Sequence, residues 1–373
     1  MINAIDLMGL KLKNPILTAA GPWAENAVGI QRCIDAGAAA VITETISLEA
    51  RPRISPRLHT EDGKLFNTMI YSYMHLEEWE DEIKEIDRKD AKLIFSIWGS
   101  TASEIAYMAK KVEQMGADAI ELSISAPIGS RHRFLTQSTS DIFTYSKAAV
   151  DAVDIPVMLK LSYEAASSTV FLRDLERAGV KAVSAIDSLK GLSGVDIENF
   201  VTLMPTYGGY TGENIRPISL ATTAALQQYT SLQVVSSGGV MSHENALEFI
   251  MLGASAVQLA SAIQCRGYVA ITDILSALQA WLDERNIISI NEIRGAALPS
   301  IKVYEDIVPV KLCASIKESC SRENCLLCSD SCLPDAIYLN EDKIIEIKEE
   351  YCDGCGLCVA RCPHQLLDLK WCQ

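Results

Sequence analysis

Basic residues are in short supply: 33 Lys and Arg face 48 Asp and Glu, a formal net charge of -15 over 373 residues. Nucleic acids and anionic membrane surfaces need basic patches, so neither is expected as a partner. No apolar run approaches the roughly 20 residues that span a bilayer, and low-complexity tracts are missing. Cysteine is nearly absent from the first 300 residues, where Cys33 and Cys265 stand alone in apolar contexts and read as core residues. No signal-peptide pattern opens the chain, so a soluble protein of the reducing cytoplasm is expected.

What is present fits a core-building enzyme. Hydrophobic residues make up 49% and charged residues 22% of the sequence, enough for two domains folded without disulfide support. Ten of the twelve cysteines fall between Cys313 and Cys372, so the composition changes near residue 300. The expected organisation is a domain over 1–300, a linker over 301–312 and a cysteine-rich domain over 313–373.

The cysteine-rich domain ends in Cys352-x2-Cys355-x2-Cys358-x3-Cys362-Pro363. Three thiolates at that spacing hold three irons of one 4Fe-4S cluster, and the Cys before Pro serves the other cluster of a two-cluster ferredoxin domain. The second set starts upstream at Cys325-x2-Cys328-x3-Cys332. Cys320 is its irregular fourth member, with Cys313 as fallback. One cluster is assigned to Cys320, Cys325, Cys328 and Cys362, the other to Cys332, Cys352, Cys355 and Cys358. Zinc, which takes four ligands in two pairs, leaves a run of eight spaced thiols unexplained, and a disulfide framework does not suit the compartment. Cys372 has no assigned role. Iron-sulfur clusters carry electrons, so redox chemistry is expected upstream.

Upstream, short β-rich runs alternate with helical stretches: 15–20, 39–44, 93–97, 119–123, 157–161, 182–186, 233–236 and 256–259. Continuous apolar strands, each followed by a helix, make a covered parallel sheet. Eight in about 300 residues predict an α/β fold, a (β/α)8 TIM barrel followed by a small ferredoxin-like α+β domain. A weak repeat supports this: Gly37, Gly116, Gly179 and Gly253 each stand just before a strand, where a left-handed residue ends a helix. The alternative is an open doubly wound sheet, but that architecture carries its phosphate glycines after the first strand. Here Ser236-Ser237-Gly238-Gly239 follows the seventh strand and Ala260-Ser261-Ala262 the eighth, where barrels bind phosphate. Single electrons from a cluster need a one-to-two-electron converter before they become a hydride. Flavin performs that conversion, and FMN has the one phosphate such a cradle takes.

The motifs Leu12-Lys13-Asn14-Pro15-Ile16, Ala19-Ala20-Gly21, Val41-Ile42-Thr43-Glu44-Thr45, Phe66-Asn67, Ala119-Ile120-Glu121-Leu122-Ser123-Ile124-Ser125-Ala126-Pro127, Leu159-Lys160-Leu161, Tyr207-Gly208-Gly209-Tyr210-Thr211-Gly212 and Ser237-Gly238-Gly239 occur in this order. In that order they resemble dihydroorotate dehydrogenases, and most of all the flavin and iron-sulfur portion of dihydropyrimidine dehydrogenases. The resemblance implies FMN contacts at Ala19, Ala20, Asn67, Lys160, Asp187, Ser188, Gly209, Gly238, Gly239, Ala260 and Ser261. Lys160 would place a cation where the reduced flavin gathers negative charge. An unpaired ammonium in the apolar run around Lys160 would be costly, which argues against a merely solvated side chain.

The chain departs from the family on the substrate side. Ala126 stands where the strand-four loop carries its acid-base Cys or Ser, Ser123 and Asp187 stand for Asn, and Glu44 for Lys. These changes make the pocket more acidic and point to a cationic or amine-bearing substrate, read by Glu44, Asn67, Ser123 and Asp187, in place of orotate. The competing reading pairs Glu44 with Arg51, Arg53 or Arg57, away from substrate. His132, in Ser130-Arg131-His132-Arg133, is the expected replacement acid, with Ser125, Tyr71 and Tyr73 behind it and His59 as a loop residue. The expected function is electron delivery from ferredoxin or an NAD(P)H-oxidising flavoprotein, through two 4Fe-4S clusters and FMN, to an activated C=C or C=N bond of a small molecule, or the reverse. The alternatives are a dihydropyrimidine dehydrogenase subunit and a non-catalytic electron-transfer subunit. A homo-oligomer, dimer or higher, is expected.

Overall fold

The computed structural model describes residues 4–50, 53–68, 70–124, 128, 139–168, 171–308, 310–318, 320, 325–342 and 344–372. For Thr139, Ser140 and Ser168 the backbone alone is described. The chain divides into two compact units, 1–300 and 301–373.

The first unit is built on eight parallel strands: β1 (Ile16–Thr18), β2 (Ala40–Ile42), β3 (Lys92–Ile97), β4 (Ala119–Ser123), β5 (Val157–Leu161), β6 (Ala182–Ala185), β7 (Gln233–Ser237) and β8 (Ala256–Leu259). They pair in sequence order and close into a barrel as β8 pairs with β1, Val257 opposite Ile16. Residues of these strands are buried almost without exception, as a sheet covered on both faces requires. Helices such as Ala102–Gln114 and His243–Met251 cover the outside, their apolar residues Ile105, Met108, Val112, Phe249 and Ile250 joining the barrel's core. Each such fully buried aliphatic or aromatic side chain stabilises the fold by about 1.5–3 kcal/mol. The helix 172–178 shows how the Ala-Gly repeat works: Gly179 adopts φ +92° and its N–H caps Leu175 and Glu176 carbonyls, after which the chain enters β6.

A second, four-stranded antiparallel sheet runs in the order Leu189–Gly191, Gly208–Thr211, Lys64–Asn67, Leu58–Glu61. It forms from segments that follow β2 and β6, and its ladder sets Asn67 opposite Gly209. Sequence reading did not foresee this sheet, because its strands are short and half exposed.

The second unit contains two antiparallel pairs, β9 (Leu312–Ile316) with β12 (Leu367–Trp371) and β10 (Ile337–Leu339) with β11 (Ile345–Ile347). Its small core consists largely of cysteine sulfur with Ala314, Ala336, Ile337, Ile345 and Leu367. Cys313 and Cys372 are joined in a disulfide that ties β9 to the end of β12. This gives Cys372 a role and removes Cys313 from the ligand candidates. Two isolated cysteines behave differently: Cys33 is fully buried, whereas Cys265 is exposed, contrary to its reading as a core residue. It lies near the end of the helix Ser261–Arg266, whose buried side is taken by Ser261, Ala262 and Ile263.

Closing a loop across a sequence separation of 59 limits the unfolded chain. Replacement of Cys372 by Ser is therefore expected to lower the stability of unit two by about 2–4 kcal/mol under non-reducing conditions. The unfolding transition of unit one should stay unchanged. Chemical denaturation with and without reductant checks this.

Candidate active site and iron-sulfur centres

Polar residues inside the barrel are concentrated in one layer. Glu121, Ser184 and Gln258 come from β4, β6 and β8, alternate strands whose side chains meet at one level of a TIM barrel. Glu121 Oε2 accepts hydrogen bonds from Ser184 Oγ at 2.7 Å and Gln258 Nε2 at 2.8 Å. Lys160, on β5, donates from Nζ to Gln258 Oε1 at 3.1 Å and stands 3.9 Å from Glu121 Oε1. Glu121 is 1% and Lys160 7% exposed. A buried charge is tolerated only when paired and hydrogen-bonded, and here each charge answers the other.

Above this layer opens a large cavity that Glu121, Lys160 and Gln258 help to line. Its empty space, open solvent at the mouth included, is about 1440 Å³. The cradle predicted after β7 and β8 lies in its wall, with Ser237, Gly238, Gly239, Ala260 and Ser261. Gly239 has φ +86°, and a Cβ there would stand 2.5 Å from Arg216 Cβ, so no other residue fits this turn without displacement. Ser261 Oγ is fixed by Thr211 Oγ1 at 3.0 Å. Ala19 and Ala20 line the cavity too, the Ala19 carbonyl held by Trp23 Nε1 at 2.7 Å.

The substrate-side candidates Glu44, Asn67, Ser123 and Asp187 line the same cavity, as does Ser188. Gly209 is set against it through Asn67 and Ser188, with Asn67 Nδ2 donating to its carbonyl at 3.4 Å. Tyr71 is in the wall; Tyr73 and His59 are not among the lining residues. Tyr73 stacks under the Arg53 guanidinium and His59 faces Glu61 at 3.7 Å. His132, Ser125 and Ala126 lie outside the described residues, as does Arg51.

The pairing of Glu44 with an arginine is present, and the residue lines the cavity as well. Arg57 donates to Glu44 Oε1 at 3.0 Å and to Glu25 Oε2 at 2.7 Å, and Arg53 donates to Glu25 at 2.6 Å. Glu44 Oε2, also buried, has no hydrogen-bond partner among the described residues. One carboxylate oxygen is thus tied to the wall while the residue faces the cavity. Burial pushes the Glu44 carboxyl up to about 7, against the pull of Arg57 and with the push of Glu25. The sequence reading missed Glu121, Gln258 and Glu25. The signal for the first two was a polar side chain inside an otherwise apolar strand.

In unit two the cysteines gather into two groups. Cys320, Cys325, Cys328 and Cys362 line one cavity, and Cys332, Cys352, Cys355 and Cys358 line another. Backbone N–H groups point at three of these sulfurs: Ala314 at Cys352, Ala336 at Cys332 and Leu366 at Cys362, at 3.2–3.4 Å. Burial raises the Cys328 and Cys358 thiols, so a metal binding there displaces protons.

Residues 3–282 match the family model described as dihydroorotate dehydrogenase. The chain belongs to that family. Residues 345–368 match the model of a 4Fe-4S binding domain. Among the dihydroorotate dehydrogenase family, the chain is 30% identical over 297 residues to the dihydroorotate dehydrogenase B (NAD(+)) catalytic subunit of Pyrococcus abyssi, covering 79% of this chain and 98% of that protein. It is 31% identical over 299 residues to the protein of the same name from Methanocaldococcus jannaschii, covering 78% and 97%. This chain is a dihydroorotate dehydrogenase-like flavin oxidoreductase with an iron-sulfur domain added. Among the described residues, no helix is long and apolar enough to cross a membrane.

FMN, the flavin of this family, fits the residues present. A side-chain-free turn stands where a phosphate is cradled, Lys160 supplies a buried cation, and Gln264 Oε1 in the cavity wall is buried without a partner. Four thiols in each of two cavities fit iron-sulfur ligation in the same way.

The Glu44 carboxyl gives a stability signature. Its folded-state value of about 7 exceeds the unfolded value of about 4.3. Between those values the folded chain holds the extra proton, so stability is fullest at acid pH and falls as pH rises through this window. Glu44→Gln removes that slope. From about pH 4 to about pH 8 the wild type should lose on the order of 2–3 kcal/mol relative to the variant in urea unfolding; parallel curves would show that Glu44 ionises normally.

Proposed function

We propose that this chain passes electrons from ferredoxin or an NAD(P)H-oxidising flavoprotein through two 4Fe-4S clusters to FMN, and reduces, or in reverse forms, an activated C=C or C=N bond of a small cationic or amine-bearing substrate. Cys320, Cys325, Cys328 and Cys362 would hold one cluster and Cys332, Cys352, Cys355 and Cys358 the other. Ala19, Ala20, Asn67, Asp187, Ser188, Gly209, Gly238, Gly239, Ala260 and Ser261 would hold FMN. When bound, the flavin supplies hydride transfer. Lys160 places positive charge in the cavity, and its tie to Gln258 keeps the ammonium from turning away. Ser123, Asn67, Asp187 and Glu44 orient the substrate. His132 and Ser125 remain proton-transfer candidates in the strand-four loop.

The observation that supports the substrate class is the free, buried Glu44 oxygen in the cavity wall. An N–H donor or cation satisfies it, whereas a carboxylate such as that of orotate meets repulsion. The arginines beside it are already engaged: Arg57 is shared between Glu44 and Glu25, and Arg53 is taken by Glu25.

The test is anaerobic stopped-flow reoxidation of the dithionite-reduced protein against a panel of unsaturated compounds, amine-bearing heterocycles beside uracil and orotate. Flavin oxidation by cationic compounds, with uracil and orotate inert, is the expected outcome. Fast oxidation by uracil restores a dihydropyrimidine dehydrogenase subunit. Oxidation by ferredoxin alone indicates an electron-transfer subunit.

A further inference from the structure

We infer that Glu44 is a catalytic acid of this site, and that the substrate is a basic C=N compound, an imine whose nitrogen takes the Glu44 proton as its carbon is reduced. The inference deepens the reading above and rests on it. Reduction of a double bond needs a proton as well as a hydride, and Ala126 stands where the family's acid would be. Beside the loop candidates His132 and Ser125, the described residues offer a titratable group in the cavity itself.

Among the described residues, the ionisable groups in the wall are Glu44, Tyr71, Glu121, Lys160, Glu164, Asp187 and Lys190. Glu121 accepts two hydrogen bonds and balances Lys160, so it is committed to the barrel floor. Asp187 accepts from the Ser188 N–H at 2.8 Å. Glu164 is exposed, and Lys190 lies over the Tyr207 ring at 4.1 Å. Among the described residues, Glu44 alone of the carboxyls in this wall is buried with an oxygen that no described group engages. The charged groups around it are Arg57, Arg53 and Glu25, with Tyr71 in the same wall. Arg57 holds Oε1, which leaves Oε2 as the oxygen able to carry and transfer the proton.

A carboxyl that keeps its proton near neutrality is matched to a nitrogen base of similar strength, and such matching makes proton transfer efficient. Carbon bases of an isolated C=C bond are not matched in this way, which favours C=N over C=C. The step balances as follows. The substrate carbon accepts a hydride from the reduced flavin, which is oxidised; the C=N π bond breaks as C–H forms. The nitrogen takes the proton of Glu44, forming N–H. Glu44 is left as a carboxylate accepting from the N–H of the neutral amine, and solvent reprotonates it on product release.

Two probes separate this inference from the function it rests on: 3,4-dihydroisoquinoline, which needs a proton on nitrogen, and its N-methyl iminium, which is permanently cationic and needs none. With reduced holoenzyme in single turnover, Glu44→Gln should slow reoxidation by the imine by about 10²-fold and change the iminium rate less than about tenfold. In the oxidised holoenzyme, where no turnover occurs, binding of the iminium at about pH 6 should release a proton from wild type and none from Glu44→Gln, as calorimetry in buffers of different ionisation enthalpy reads. Equal loss with both probes, or unchanged imine reduction in Glu44→Gln, overturns the assignment. So does loss of the imine-specific rate in His132→Ala with Glu44→Gln unaffected, which hands the proton to the loop. If neither probe oxidises wild-type flavin, the C=N substrate class fails with the proposed function, whatever Glu44 does.

Discussion

The site depends on one buried ion pair. Lys160 and Glu121 sit inside a barrel whose other walls are largely aliphatic, 3.9 Å apart and linked through Gln258. Each charge alone would be costly in that interior, and together they are held by hydrogen bonds from three strands. The pair fixes a cation at the cavity floor and prevents the barrel from filling completely with hydrocarbon. The cavity above, the turn at Gly238 and Gly239 and the acidic wall at Glu44 are all placed with respect to that floor.

The second charged arrangement, Glu44 with Arg57, Glu25 and Arg53, is tuned differently. At the floor, acid and base satisfy each other; in the wall, Glu25 competes for Arg57 and leaves Glu44 partly uncompensated. The result is a carboxyl raised to about 7 that faces the cavity. Relatives named as dihydroorotate dehydrogenase B catalytic subunits share about 30% identity with the chain. A barrel scaffold accommodates such divergence because function resides in residues at the strand ends.

Much of this was legible in the sequence. All eight barrel strands were foreseen within a few residues, because a parallel sheet covered on both faces leaves continuous apolar runs with helices between them. The thiol spacing foresaw the two groups of four cysteines that the folded unit gathers. The hidden parts depend on tertiary contact. Glu121 and Gln258 were read as strand residues, since their significance appears only when β4 and β8 meet β5 across the barrel. The antiparallel sheet carrying Asn67 and Gly209 joins segments more than a hundred residues apart. An apolar context around Cys265 suggests core, but the helix Ser261–Arg266 buries only its first three residues and leaves Cys265 exposed in its second half. The Cys313–Cys372 pair was invisible to spacing because strand pairing makes it.

The most direct test of the central claim, that one flavin and two clusters share this chain, is cofactor analysis of anaerobically purified protein with a redox titration followed by electron paramagnetic resonance. The account predicts one FMN and about eight iron atoms per chain, with two cluster signals appearing on reduction. About four irons with a single cluster signal, or a chain without flavin, would contradict it.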